Sequence, residues 1–361
     1  MAGRMGLLVS GMLVFVLAIG GYGQSLRLKD SRSWQLGGRV QLQHLYNTNI
    51  TSGDEATNNG FRMRRGRLWV KAKLTDWVSA RLQISVRDKS PSVLDLEARL
   101  KLGEQGYFRL GQFKVPVWRE ELRSSSKLLL VERSLVAEFL SDYQLSARQI
   151  GIEIGRTFGN GATIVVNYSN GSGAGVREDA GRKKDDFVNN GKLLTARVNL
   201  PVGKVVEVGL SAMVNQVGYR IAGEQDNRGT ISAVAPDFGL YLPAGLDVEG
   251  GLVFGRVSAS YLGTPEDDTF LLMDLTARWK RKLAAPLEAL AGLDAVELAG
   301  GGTYIQPDAG SGYVEMMVFR AGPAVYFGKQ TRFQMNLEYE KPVDERLEAV
   351  FLIRSQFTVN F

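Results

Sequence analysis

Polar and apolar residues alternate along most of the chain with a period of two. This pattern predicts β-strands whose two faces meet different surroundings. At the C-terminus, Phe357, Val359 and Phe361 fall on one face, and Thr358 and Asn360 fall on the other. Sixteen segments alternate in this way and are the predicted strands, at residues 34–46, 60–74, 77–88, 93–102, 105–114, 147–157, 161–170, 191–200, 203–217, 234–242, 246–262, 268–282, 292–306, 312–327, 331–341 and 346–361.

The connections between these strands alternate between short and long. Five of them are short turns, at residues 75–76, 159–160, 201–202, 243–245 and 328–330. Four others are long loops, at residues 47–59, 115–146, 171–190 and 218–233. Short turns on one rim and long loops on the other are typical of outer-membrane barrels, in which the short turns are periplasmic. Residues 283–291 are an exception, because this turn lies on the side of the short turns but is longer than they are. We expect it to contain about one helical turn.

The apolar faces suit contact with lipid. After residue 25, charged or strongly polar residues interrupt each apolar run well before the roughly 20 residues that a transmembrane helix needs. In hydrocarbon, every backbone N–H and C=O must be paired, and a closed sheet achieves this without free edges. The sequence therefore predicts an all-β fold, a closed antiparallel transmembrane β-barrel of about 16 strands. A soluble β-sandwich is the alternative reading of the same alternation.

The N-terminus has the features of a secretory signal. Arg4 precedes an apolar run over residues 5–19, and Gly21 and Gly23 supply the small residues that signal peptidase requires. We therefore expect residues 1–23 to be a cleaved signal peptide and residues 24–361 to form the barrel. An uncleaved membrane anchor is the alternative, although the run is short for one.

Composition limits the other classes of function. The chain has no cysteine, so disulfides and cysteine-based metal sites are excluded, and no cofactor is expected. A net charge of +6 over 361 residues is too small to suggest nucleic acid as a partner. His44 is the only histidine, so a barrel enzyme with histidine-assisted nucleophilic catalysis has little support.

Three segments resemble a known family, the phosphate-selective porin O and P family. They are Gly60 to Gln83, Gly111 to Val136 with Gly-Gln-Phe-Lys-Val-Pro at 111–116, and the terminal Gln-Phe-Thr-Val-Asn-Phe at 356–361. The resemblance implies a passive anion pore in the bacterial outer membrane, usually a homotrimer. It also implies that the third long loop folds into the lumen and that Phe361 belongs to the signal read by the barrel assembly machinery. The family's strongly phosphate-selective members carry a dense row of lysines on the fifth loop, whereas residues 218–233 contain only Arg220 and Arg228, so phosphate selectivity stays open.

The third loop, residues 115–146, is the longest. Short helices are expected at 117–123 and 127–140. Apolar residues of the loop are expected to pack on the barrel wall, namely Leu128, Leu129, Val131, Leu135, Val136 and Phe139. Its basic residues are candidates for lining a constriction, namely Arg119, Arg123, Lys127 and Arg133.

Alternation also assigns basic residues to the lumen on four neighbouring strands. The candidate anion-binding residues are Arg67, Lys71, Arg81, Arg87, Arg99 and Arg109. The arginines at 67, 81, 99 and 109 are expected at similar heights, as one basic wall that faces the third loop. Guanidinium groups stay charged and offer forked donors to phosphate and carboxylate oxygens, and a narrow channel strengthens their field.

These residues support a first hypothesis of passive, anion-preferring diffusion of small solutes, including phosphate, through a water-filled barrel. The alternative is a structural or adhesive outer-membrane barrel whose lumen is occluded by its third loop. In a simpler interpretation, lumenal arginines pair with lumenal carboxylates and serve only to keep the pore filled with water. The expected partners are outer-membrane lipid, small anions, the assembly machinery and two further copies of the chain.

Overall fold

The computed structural model of this chain describes residues 25–27, 32–48, 59–175, 183–184, 187–188, 191–218 and 228–361. The predicted signal peptide lies outside the described residues. None of the helices in these ranges is both long and apolar enough to cross a membrane.

Sixteen antiparallel strands form one closed barrel. Each strand pairs with its neighbours in sequence, and the last strand pairs with the first from Asn360 opposite Arg39 to Leu352 opposite Asn47. The strands are β1 Ser33–Asn47, β2 Asn59–Lys73, β3 Val78–Ser85, β4 Ser92–Leu102, β5 Gly106–Lys114, β6 Arg148–Thr157, β7 Thr163–Ser169, β8 Leu193–Val202, β9 Val206–Val217, β10 Gly229–Leu242, β11 Leu246–Val257, β12 Asp268–Leu287, β13 Leu293–Gln306, β14 Met316–Phe327, β15 Thr331–Pro342 and β16 Val350–Asn360. The predicted barrel and strand number are confirmed.

Among the described residues, three short strands lie outside this cycle. Ser25–Arg27 pairs with the first residues of β1, and Lys183–Lys184 pairs with Phe187–Val188 in the loop between β7 and β8.

The two faces of the strands differ as the alternation predicts. Leu96 and Leu298 point away from the lumen and are 57% and 59% exposed, as expected of side chains that meet lipid. Gln41 and Gln356 lie on the opposite face and are fully buried. The apolar surface of the barrel is therefore its outside.

Some strand ends differ from the prediction. β10 begins at Gly229 rather than at 234 and continues through Pro236, where its ladder with β11 is interrupted because proline has no N–H. β11 ends at Val257, before a helical turn at Ala259–Leu262. The turn expected at 201–202 instead follows Val202, at residues 203–205.

The periplasmic hairpin of β12 and β13 is only partly as expected. β12 extends to Leu287, with a register shift between Lys282 and Leu287, and the helical turn is confined to Glu288–Leu290. Residues 283–287, which we expected in the turn, therefore belong to the strand.

The barrel closes at its C-terminus with a residue-specific contact. The N–H of Phe361 donates to the carbonyl of Gly38 at 3.0 Å, and the N–H of Gly38 donates to the carbonyl of Phe361 at 2.7 Å. A Cβ at Gly38 would lie only 2.2 Å from Cζ of the Phe361 ring. Glycine is therefore needed at position 38 for the terminal ring to sit against β1.

The third long loop, L3 (residues 115–147), folds into the lumen. It contains α1, Arg119–Leu122, and α2, Leu135–Asp142. The expected helix over 127–140 is therefore wrong in its first half. There, side chains of β15 bind the loop backbone: Arg332 Nη1 donates to the Leu128 carbonyl at 3.1 Å, and Asn336 Oδ1 accepts from the Val131 N–H at 2.6 Å.

Candidate pore lining and constriction

One wall of the lumen, formed by β8 to β13, is covered by L3. We call it the docking wall. The extracellular half of this wall is apolar and packs against buried apolar residues of the loop. The wall contributes Leu193, Met213, Val217, Ile231, Val253, Val257, Phe270, Leu272 and Ile305, and L3 contributes Val115, Val117, Trp118, Val136, Phe139, Leu140, Tyr143 and Leu145.

Phe139 lies at the centre of this contact. Its ring centroid is 4.8 Å from that of Tyr143, 4.9 Å from Phe270 and 5.2 Å from Tyr313. The expectation that Phe139 packs on the wall is confirmed, as is burial of the other apolar residues expected to do so, with Leu135 only partly buried. L3 is therefore attached to the docking wall through a dry interface.

Below the apolar region, the docking wall is acidic. Arg119 of α1 lies 3.0 Å from Asp237 and 2.7 Å from Glu207, and Arg123 is paired with Glu249. These two L3 arginines, predicted to line a constriction, are thus neutralised by the wall behind them.

The opposite wall, formed by β1 to β6, carries the basic residues, and we call it the basic wall. L3 reaches it through three consecutive serines. Arg39 donates to Ser124, Ser125 and Ser126 at 3.1, 2.8 and 2.7 Å, and Arg67 donates to Ser125 at 3.3 Å. Within the described ranges, neither arginine has a carboxylate within 4.0 Å. Positive charge therefore has no carboxylate partner within 4.0 Å at the three serines.

Two of the predicted pore arginines are paired with acids. Arg81 lies 3.1 Å from Asp95. Arg109 lies 3.1 Å from Glu97 and 2.7 Å from Glu153. At these positions the simpler interpretation holds, in which lumenal arginines are paired with lumenal carboxylates.

Lys71 and Arg99 are different, because both are exposed and neither has a carboxylate within 4.0 Å among the described residues. The Arg99 guanidinium instead lies over the Tyr107 ring, 3.7 Å from its centroid. Arg87 lies beyond the end of β3 and pairs with its neighbour Asp88 at 2.8 Å, so the structure does not place it on the wall.

The strand register corrects the expected arrangement of the arginines. Arg67 lies opposite Ser85, whereas Arg81 lies opposite Lys71 and Glu97. Arg67 is four residues, or about 13 Å, nearer the extracellular end of β2 than Lys71. The arginines thus lie at different heights along the barrel axis and do not form a single row.

The remaining two loop residues also differ from each other. Arg133 lies 2.8 Å from Glu121 within L3. Lys127 is exposed and has no carboxylate within 4.0 Å in the described part of the chain. Of the four basic loop residues that we predicted, Lys127 alone presents a charge that no such neighbour balances.

The comparison with known protein families decides what this barrel is. The profile described as "Phosphate-selective porin O and P" matches residues 35–234, more than half of the chain. The chain belongs to the phosphate-selective porin O and P family. It is therefore an outer-membrane porin, a passive channel. No curated protein is similar enough in sequence to match it.

Solved structures agree with this porin fold. An anion-selective porin from Comamonas acidovorans superposes with a TM-score of 0.64 at 12% identity, covering 91% of this chain and 100% of that one. OmpT of Vibrio cholerae in its trimer form gives 0.62 at 10% identity, covering 92% and 100%. The outer membrane channel DcaP of Acinetobacter baumannii gives 0.61 at 11%, covering 95% and 100%.

Sequence reasoning missed an important group of lumenal arginines in the porin, because β2 contains a bulge. Gln41 pairs with Arg65, but the next residue, Leu42, pairs with Met63, so Arg64 is extra. A bulge reverses the alternation beyond it. Met63 is consequently exposed on the outside, 44%, whereas strict alternation would have put it in the lumen. Arg62 and Arg64 enter the lumen instead, beside Arg65, which strict alternation already places there.

The porin's single histidine contacts a side-chain amide and an aromatic ring. His44 Nε2 is 2.7 Å from Asn59 Oδ1, and its ring centroid is 4.7 Å from that of Phe61. Within the residues that the structure describes, no group of three or more His, Asp or Glu side chains could hold a metal ion.

Proposed function

We propose that this porin mediates passive diffusion of small anions, inorganic phosphate among them, along the basic wall. The observation that carries the proposal is the environment of Arg39 and Arg67, which face serine hydroxyls of L3 instead of carboxylates. Hydroxyls and guanidinium groups together can replace the water around a passing oxyanion. An uncompensated charge in a narrow channel also raises the local concentration of anions.

The periplasmic part of the same wall extends this track. Lys71 follows Arg67 on the lumenal face of β2, and Arg99, two strands away on β4, lines the same cavity as Lys71. Both are exposed, so an anion leaving the serines would next meet free cations. The name of the similar Comamonas porin, anion-selective, supports the same preference.

The test is the reversal potential of the purified porin in a planar bilayer under a potassium chloride gradient. We expect anion preference, and we expect R39Q/R67Q to move the potential toward cation preference. The broader variant R67Q/R81Q/R99Q/R109Q should move it further in the same direction. An unchanged reversal potential in both variants would reject the role of the basic wall.

A second candidate function is a structural or adhesive barrel with an occluded lumen. One observation favours it, because L3 touches both walls, through Phe139 on one side and the serines at 124–126 on the other. Reconstituted protein that inserts into the bilayer but gives no conductance steps would support this function.

The assembled state is also proposed. OmpT of Vibrio cholerae is described in a trimer form, and we infer a homotrimer embedded in outer-membrane lipid for this chain. Phe361, seated on Gly38, is proposed to be read by the barrel assembly machinery. Cross-linking in mild detergent tests the trimer, and deletion of Phe361 should reduce insertion into the outer membrane.

A further inference from the structure

The extracellular part of β2 carries three arginines that converge on one carboxylate of L3. Arg64 contacts Glu132 Oε1 through Nε and donates from Nη2 to Oε2 at 3.1 Å. Arg65 Nη2 donates to Oε2 at 2.9 Å, and Arg62 Nη2 lies 4.0 Å from Oε1. Gln43 Nε2 adds a hydrogen bond of 3.0 Å to Oε1.

This arrangement has the geometry of an oxyanion site. The Arg64 fork spans both carboxylate oxygens, which is how arginine binds carboxylate and phosphate groups. The site is open to the channel, because the Arg62 side chain is 46% exposed and that of Arg64 is 29% exposed. Three cations surround one anion, so positive charge remains in excess.

We propose that Glu132 is a built-in competing anion, which occupies an arginine site for phosphate-class oxyanions on the extracellular side of the L3 serines. A passing oxyanion must displace or share the arginines with a carboxylate that cannot diffuse away. Tight retention is thereby prevented, and exchange through the pore stays fast. This inference rests on the proposed anion pathway and deepens it.

The charge of Glu132 is maintained by its surroundings. Burial acts to raise the pKa of Glu132, but Arg65 and Arg64 outweigh burial and hold the pKa well below its usual range. The carboxylate therefore stays charged to lower pH than an ordinary glutamate.

The backbone at Glu132 is held by contacts that do not involve its carboxylate. Arg320 Nη1 donates to the Glu132 carbonyl at 3.2 Å. The preceding Val131 N–H donates to Asn336, and the Leu128 carbonyl accepts from Arg332. We therefore expect neutralisation of the side chain to empty the arginine site and leave L3 in place.

The experiment compares E132Q with E138Q. Glu138 lies on the same loop, is exposed, and has no basic residue within 4.0 Å among the described residues, so E138Q makes the same change in charge without emptying the fork. Inorganic phosphate is titrated against the chloride current. We expect the half-inhibiting phosphate concentration to fall about tenfold or more in E132Q, and by less than about threefold in E138Q.

Further variants make the result decisive. E132D keeps the charge, so its half-inhibiting phosphate concentration should equal that of the wild type. E132Q/R64Q lacks the Arg64 guanidinium, so it should lose the lowered half-inhibiting concentration of E132Q. E132S is tested alongside E132Q, so that the proposal can still be tested if one of the two variants folds poorly. Equal responses of E132Q and E138Q, or a gain that persists without Arg64, would overturn the proposal.

A second readout separates this proposal from the proposed function. Phosphate should raise the unfolding temperature of E132Q in detergent more than that of E138Q, and this measurement needs no conduction. A wild-type pore without anion preference would contradict the proposed function alone. Equal stabilisation of the two variants by phosphate would contradict the role of Glu132 alone.

Discussion

The two walls of the lumen are built from strands of the same kind, yet they interact with L3 in different ways. The docking wall binds the loop through apolar packing around Phe139 and through ion pairs with Arg119 and Arg123. The basic wall reaches it through hydrogen bonds from Arg39 and Arg67 to serines. Apolar packing is lost when water enters, whereas polar contacts exchange readily with water or anions.

The difference indicates where the pathway runs. Opening a space at the docking wall would expose a dry interface and separate buried charges. Opening one at the basic wall replaces serine hydroxyls and, on the extracellular side, the Glu132 carboxylate by a solvated anion. In the proposed function, L3 therefore stays attached to the docking wall, and solutes pass along the basic wall.

The largest effect is expected from removing the main apolar contact of L3. F139A should destabilise the docked loop by about 3–5 kcal/mol, because a buried ring is replaced by a cavity. The loop should then move within the lumen, which would increase current noise and cleavage of L3 by added protease. F357A, which removes a lipid-facing ring 41% exposed, is the matched control and should leave both measurements unchanged.

A smaller effect on folding, with little effect on ion preference, is expected at Arg109. R109Q leaves Glu97 and Glu153 without their shared partner. The cost should stay below the roughly 3–5 kcal/mol of a fully buried pair, because the Arg109 side chain is 20% exposed. The denaturation temperature of the barrel on heating in detergent should fall. Its reversal potential should change less than that of K71Q, because two carboxylates already balance the Arg109 charge in the wild type.

The smallest effect on stability, but a clear one on selectivity, is expected at Lys71. K71Q removes an exposed charge with no carboxylate within 4.0 Å among the described residues, so the denaturation temperature should stay within about 1 °C of the wild type. The reversal potential should move toward cation preference. A larger shift in R109Q than in K71Q would contradict the view that unpaired charges set the preference.

The sequence determined the barrel and its orientation of faces. A period of two over sixteen segments leaves one apolar side on each strand, and only closure of the sheet pairs every backbone group in a membrane. The position of L3 in the lumen and the burial of Phe139 also followed from the sequence, through the resemblance to the family and the apolar pattern of the loop.

Only the tertiary structure decided which arginines are free. Alternation assigns a side chain to the lumen, but the register between strands decides whether Arg109 meets Glu153 and whether Arg67 meets Ser125. The bulge at Arg64 is not visible in the alternation of the sequence. It moves Arg62 and Arg64 into the lumen. The physical reason is that ion pairing depends on contacts between distant segments, whereas the period of a strand is a local property.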